Sequence, residues 1–273
     1  MFLMDINTIK EFWKPNIVNA KAGLEWWNGN AIKYAARELP ATDDSIGMRI
    51  IERENMIYEG CSALDVGCGG GRFSFAMENM GARVSGTDFS SKMIEEAEKQ
   101  KLKRTSNVKF SVDNWHTVAL HEKSWEKNFD LVLAHMTPAV VSADTFMKLS
   151  EASRKWVLMV KPTRRNNSVL DQLNTLIDAK ADTQALDETV AYAFDLLWLN
   201  GYSPKLDYEN QIWEMDVPID KAIDEYTLRI ASTHELSVND KMSIKSYLEK
   251  IAIDGVVHET TFTTIVAMYW KVF

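Results

Sequence analysis

The stretch that most constrains this chain is Ala63-Leu64-Asp65-Val66-Gly67-Cys68-Gly69-Gly70-Gly71-Arg72. A short apolar run carries an acid at Asp65, glycines fill four of the five positions 67–71, and an apolar helical pattern follows. That order predicts a buried strand, a turn tight enough to admit a ligand against bare backbone, and a helix whose N-terminus faces that ligand.

The rhythm continues downstream. Residues 63–66 predict the first strand, and 73–80 a helix stopped by Gly81. Residues 83–87 predict the second strand, ending at Asp88, and Ser90 or Ser91 caps a helix over 92–102. Residues 108–112 form the third expected strand, followed by Asp113. Residues 129–134 give the fourth, and Ser142 opens a helix to Ala152. Residues 156–160 give the fifth. Short apolar strands alternating with helices predict a parallel sheet covered on both faces, with ligands at the carboxyl rim.

Before this unit, residues 1–59 predict a helical N-terminal arm. It has helical spacing up to Pro15, a second helix ending near Pro40, and a third from Ile46 to Met56. Its tryptophans, Trp13, Trp26 and Trp27, either pack the arm onto the main domain or roof the ligand site. Residues 60–273 are expected to form one continuous domain. Past Lys161-Pro162 the pattern breaks, so Lys161–Arg165 reads as a basic cluster in a loop. Helical insertions over about 166–203 and 218–250 are expected to act as a cap. An alternating strand lies near 206–217, and a buried final strand covers 261–272. The cap's aromatics, Tyr192, Phe194, Trp198, Tyr202, Tyr208, Trp213 and Tyr226, suggest a closed pocket for a small molecule.

Composition narrows the partners. A formal charge of −8 over 273 residues argues against a general polyanion binder. The two cysteines, Cys61 and Cys68, lack metal-ligand spacing, so no metal is expected and a reduced, cytoplasmic protein is the simplest reading. The residues from Met1 to Asp5 do not resemble a secretory leader. No apolar run approaches the ~18 residues a membrane span needs.

The glycine turn leaves two ligands to weigh. A dinucleotide fold wants G-x-G-x-x-G with pyrophosphate at the helix N-terminus. Here Arg72 stands where the third glycine should fall, and Asp65 would sit badly beside a pyrophosphate. An acid before the turn suits a cation, such as the α-amino group of S-adenosylmethionine, with Gly67, Gly69 and Gly71 admitting close approach. Asp88 can then accept both ribose hydroxyls. Asp113 can accept the adenine amino hydrogens, with Asn114 and Trp115 beside it. Asp113-Asn114 has a plain turn as its lesser alternative, and Trp115 reads equally as core packing.

Asp65-Val66-Gly67-Cys68-Gly69-Gly70-Gly71, Thr87-Asp88-Phe89-Ser90 and Val112-Asp113-Asn114-Trp115 resemble the successive cofactor motifs of class I S-adenosylmethionine-dependent methyltransferases. The resemblance covers about residues 60–160. It implies a Rossmann-like, seven-stranded, mostly parallel sheet of order 3-2-1-4-5-7-6. It also implies that Phe89 and Met93 flank the ribose and adenine, and that S-adenosyl-L-homocysteine is the product. The loop after the fourth strand, Ala134-His135-Met136-Thr137-Pro138, faces the transferring methyl in that fold. His135 is the candidate general base, although it can equally cover the cofactor by backbone contact. The loop lacks the pattern of amino-adenine methyltransferases, so a small-molecule acceptor is expected, with neither nucleic acid nor membrane as partner and a monomer or homodimer as the assembly. Two alternatives stay open: a non-catalytic binder of S-adenosylmethionine, and an NAD-dependent oxidoreductase.

Overall fold

The structure is a computed structural model that describes residues 4–15, 18–179 and 182–273, without the side chains of 182–186. Met1 to Leu3, on which the leader expectation partly rests, lie outside the described residues.

The arm contributes α1 (Ile6–Phe12), α2 (Ala20–Ala35) and α3 (Ile46–Arg53). Asp5, Asn19 and Ser45 cap them through side-chain oxygens, each accepting from a backbone N–H three residues on. The alternating unit follows as β1 (Ser62–Val66), α4 (Arg72–Asn79), β2 (Arg83–Asp88), α5 (Ser91–Arg104), β3 (Lys109–Val112), β4 (Phe129–His135), α6 (Ala143–Ala152) and β5 (Ser153–Asn167). The remainder is α7 (Leu170–Leu176), α8 (Asp182–Leu199), β6 (Lys205–Pro218), α9 (Ile219–Ala231), α10 (Val238–Ile251) and β7 (Val256–Lys271).

The sheet has seven strands in the order β3-β2-β1-β4-β5-β7-β6. Pairs from β3 to β5 are parallel, while β7 runs antiparallel to both β5 and β6. The expected fold is therefore present, with the expected strand order. Its two faces bury separate cores. On one, Leu131, Leu133, Leu158, Ile265 and Ala267 meet Ile50 and Ile51 of α3 and Phe75 and Met77 of α4. On the other, Val132, Val157, Met268 and Trp270 meet Phe146 of α6 and Leu196 of α8. A third cluster joins α7, α9 and α10 to the outer ends of β6 and β7.

The sheet departs from the sequence expectation at β5. Lys161 to Arg165 do not form a loop; they continue the strand to Asn167, with Lys161 to Thr163 and Asn166 to Asn167 paired to β7 and Arg164 and Arg165 in a bulge between them. Pro162 is tolerated because β4 pairs no further than Val160. Beyond that point β5 has a partner on one side only, and a proline can leave its missing N–H on the open edge. The outer ends of β5, β7 and β6 thus rise past the rim as an antiparallel wall. A second correction concerns the cap aromatics. Trp198 is 63% exposed and Tyr208 61%, so neither closes a pocket, whereas Tyr226 is buried. Trp13 is buried against Phe146 and Tyr192, in the core on the α6 side. Trp26 and Trp27 meet edge to face on α2.

Candidate active site

The turn after β1 is held by its own backbone and by β2. The N–H groups of Gly67 and Cys68 both donate to the Thr87 carbonyl, at 2.8 and 3.0 Å. Gly67, Gly69 and Gly71 all have positive φ (+69°, +53° and +84°), where a side chain is strained. A Cβ on Gly67 would collide with Thr137, and one on Gly70 would fall 2.5 Å from the Ala35 Cα. The loop after β4 and the end of α2 therefore both close onto the turn.

Asp65 ends up 2% exposed, with the Ser74 hydroxyl donating to it at 2.6 Å. Burial pushes its carboxyl up to about 7, helped by the nearby Asp88 charge and opposed by the Ser74 donors. Asp88 is 8% exposed and spans the site. One oxygen accepts from the Gly69 N–H at 3.0 Å and the other from the Ser90 N–H at 2.9 Å. Burial raises this carboxyl as well, against those donors. Each Asp88 oxygen keeps acceptor capacity beyond its backbone donor.

Ser90 does the capping, with its hydroxyl accepting from the Met93 N–H and donating to Asn28 Oδ1 on α2 at 2.6 Å. Met93 is buried, and its sulfur lies 3.8 Å from where a Gly69 Cβ would stand. Phe89 is half-buried beside it in sequence, and Cys68 is half-buried in the turn. Burial and the charges of Asp65 and Asp88 hold the Cys68 thiol well above its ordinary value, so it stays protonated.

Asp113 continues from β3, its N–H donating to the Asp88 carbonyl at 3.0 Å. Its carboxylate pairs with Lys123 at 2.6 Å and accepts from Thr87 at 3.4 Å. Asn114 is exposed and makes an Asx turn, accepting from the His116 N–H at 3.0 Å. The Trp115 ring is 2% exposed in the core on the α6 side, and its indole N–H donates to the Thr145 carbonyl at 2.9 Å. Its side chain is thus directed away from the rim. Ala134 is buried at the tip of β4.

His135 follows it, half-exposed, with its ring stacked on Phe73 at 3.8 Å between centroids. Burial, with the Arg72 charge adding, pulls its pKa down to about 3, so the imidazole is neutral across the physiological range. A base that weak accepts a proton poorly, which favours its role as a wall over proton abstraction.

The sequence expectation thus places Asp65, Asp88 and Asp113 at the ends of three adjacent strands, around one turn. Several neighbours escaped it. Ser74 lies nine residues from Asp65, Asn28 sits 62 from Ser90, and Thr137 covers Gly67 from another loop. Only helical phase could have marked Ser74, one turn into a helix that starts beside the acid. Among the described residues no cluster of metal-ligating side chains occurs. Cavities of about 380 Å³ at α9 and α10, and about 520 Å³ between α3 and β6, lie away from these acids.

No curated protein matches the sequence. Among solved structures, the YcgJ protein from Bacillus subtilis is 15% identical with a TM-score of 0.48, covering 91% of this chain and 99% of that one. Geranyl diphosphate methyltransferase in complex with S-adenosylmethionine is 14% identical, TM-score 0.47, with 83% and 84% coverage. Haemonchus contortus phosphoethanolamine N-methyltransferase 2 is 17% identical, TM-score 0.45; 81% of this chain spans about half, 52%, of that one. The family model described as a methyltransferase domain matches residues 57–190, from just before β1 into α8. Residues 57–190, just under half of the chain, are thus similar to a methyltransferase domain.

Proposed function

We propose that this protein transfers a methyl group from S-adenosylmethionine to a small-molecule acceptor. The observation that carries the reading is the convergence of Asp65, Asp88 and Asp113 on one glycine turn. The residues fit the donor. Asp65 is a buried acid that forms no ion pair among the described residues, and a cationic α-amino group would favour its ionised form. Asp88 is already aligned by two backbone N–H groups and has acceptor capacity for ribose hydroxyls. Asp113 is the acceptor for the adenine amino group, in competition with Lys123.

The donor supplies a methyl already activated on a sulfonium. The chain's own task is to bind, orient and exclude water, and positioning alone can supply ~7–11 kcal/mol of a barrier. His135 and Phe73 wall the β4 side, Thr137 covers Gly67, and α2 closes over Gly70. The acceptor is assigned to the space beyond β4 and β5, under the arm and cap. The protein is assigned to the cytoplasm, where free thiols such as Cys61 and Cys68 persist.

Calorimetry with S-adenosylmethionine, S-adenosylhomocysteine and NAD tests the donor; tight NAD binding without the other two sinks the reading. Transfer of labelled methyl into a fractionated metabolite extract tests catalysis. Donor binding with transfer to no fraction would leave a non-catalytic binder, and transfer only to protein or nucleic acid would remove the small-molecule acceptor.

A further inference from the structure

The loop between β3 and β4 begins at Asp113, the acid assigned to the adenine amino group. Asn114 then starts a single helical turn. Its side-chain oxygen accepts from the His116 N–H at 3.0 Å, and its carbonyl accepts from the N–H groups of Thr117 and Val118 at 3.0 and 2.8 Å. One turn of helix leaves its last carbonyls without partners inside the turn. Lys148 of α6 supplies them. Its ammonium donates to the carbonyls of Trp115, His116 and Val118 at 2.8, 3.4 and 3.1 Å. Three protons thus match three carbonyls. The same ammonium lies 5.6 Å from the centre of the Trp115 ring. Burial draws its pKa down, against the charges of Glu151 and Asp144.

The same face of α6 also holds the loop after β4. Thr145 lies three residues before Lys148, one helical turn away. Its carbonyl accepts from the Trp115 indole N–H at 2.9 Å, and its hydroxyl oxygen accepts from the N–H groups of Val141 and Ser142 at 3.1 and 2.9 Å. Ser142 ends the loop that carries Thr137 over Gly67. Burial lowers the His116 pKa, and the Pro138 carbonyl of that loop is near enough to oppose the shift. Asp113 itself is fixed at two points. Its backbone N–H is held by the Asp88 carbonyl at 3.0 Å, and its carboxylate by Lys123 at 2.6 Å. Lys123 is in the same loop, so the chain between the two residues, which Lys148 gathers, decides where that carboxylate is held.

We propose that Lys148 is a positioning residue for the methyl donor: by gathering the carbonyls of Trp115, His116 and Val118 it fixes the direction of the Asp113 carboxylate, and so sets the preference for adenine over other purines. This inference rests on the methyl-transfer reading above. Lys148 acts through the backbone of the loop and touches no ligand. Hydrogen bonds weaken steeply as their angle closes, so a turned carboxylate loses the adenine amino group first. The ribose side is spared, because Asp88 is aligned by Gly69 and Ser90, outside this loop. Without the ammonium the three carbonyls lose their donor, and the turn relaxes.

The test is calorimetric titration with S-adenosylhomocysteine and with S-inosylhomocysteine, in which an oxo group replaces the adenine amino group. The unaltered protein should bind the first at least ten-fold tighter. In Lys148→Met that preference should shrink at least five-fold, with S-inosylhomocysteine affinity held within two-fold. Lys148→Arg should restore part of it, since a guanidinium still donates to carbonyls. Lys127→Met removes a different ammonium beside α6, one that donates to the Ser150 carbonyl at 3.3 Å, and should keep the full preference. If Lys148→Met fails to fold, amide hydrogen exchange on the unaltered protein decides. The N–H groups of His116, Thr117 and Val118 should already be protected before ligand is added, within ten-fold of their rates in the complex. Equal weakening of both ligands, an unchanged preference in Lys148→Met, the same loss in Lys127→Met, or amides protected only with ligand would overturn the assignment. So would equal binding of the two ligands by the unaltered protein, which would move the amino group off Asp113. Failure of the unaltered protein to bind S-adenosylhomocysteine would instead sink the methyl-transfer reading.

Discussion

Asp65 sits behind one serine hydroxyl in a buried turn, and its protonation follows from that placement. Its folded pKa of about 7 lies above the ordinary aspartate value of 3.8, so between those values the folded chain binds more protons than the unfolded one. Stability contributed at this site is therefore highest below about pH 4 and is lost as the pH rises to about 7. In the donor-free protein, the melting temperature of wild type relative to Asp65→Asn should fall across that window; a flat difference would show Asp65 ionised throughout. Pairing with a cationic amino group reverses the preference. S-adenosylhomocysteine affinity should therefore rise between pH 5 and 7, with proton release measurable in buffers of different ionisation enthalpy. Asp88→Ala removes acceptors for two charge-assisted hydrogen bonds worth about 1.5–3 kcal/mol each. It also strips the Gly69 and Ser90 N–H groups of their partner. Cofactor affinity should drop more than ten-fold, and an unchanged value would place the ribose elsewhere. His135→Ala should leave that affinity within a few-fold, since the ring packs on Phe73 rather than on the acids.

Among the elements, α2 closes on the turn at Gly70, where φ is not positive but a Cβ would fall 2.5 Å from the Ala35 Cα. Gly70→Ala should therefore spare the turn conformation and push α2 outward. Faster proteolysis between α1 and α3, with a folded sheet by circular dichroism, is the expected result; unchanged proteolysis would mean the helix accommodates the methyl group. The contrast with sequence reading is instructive here. Alternation of apolar strands and capped helices made β1 through β4 legible, because burial and capping are local signals there. Pro162 misled, because a proline ends a strand only where its N–H is needed, and the sequence does not show that the pairing of β5 with β4 stops at Val160. The three acids were legible because each lies within one residue of the end of a strand. Asn28, Ser74 and Thr137 were not, since their places come from packing between segments distant in sequence.

Over the whole molecule, the three acids assigned to the donor in the proposed function come from the β1, β2 and β3 side, while the wall of β5, β7 and β6 rises on the other. No helix among the described residues is long and apolar enough to cross a membrane. Ligand that binds only the folded state stabilises it by ~2.7 kcal/mol at one hundred times its Kd. For a chain of this size, S-adenosylhomocysteine at that level should raise the melting temperature by roughly 5–10 °C. NAD at the same concentration should leave it unchanged.

One contact gives this division a thermodynamic consequence. The Ser90 hydroxyl, which caps α5 beside Asp88, also donates to Asn28 of α2, and α2 closes on the glycine turn at Gly70 as well. In the proposed reaction this helix, part of the arm over the acceptor, leans on both substrates. Free-energy coupling has no direction: whatever factor the donor adds to affinity for the second substrate, that substrate must return to the donor. The two ligands will thus report on each other, and Asn28→Ala should shrink both effects by the same ratio.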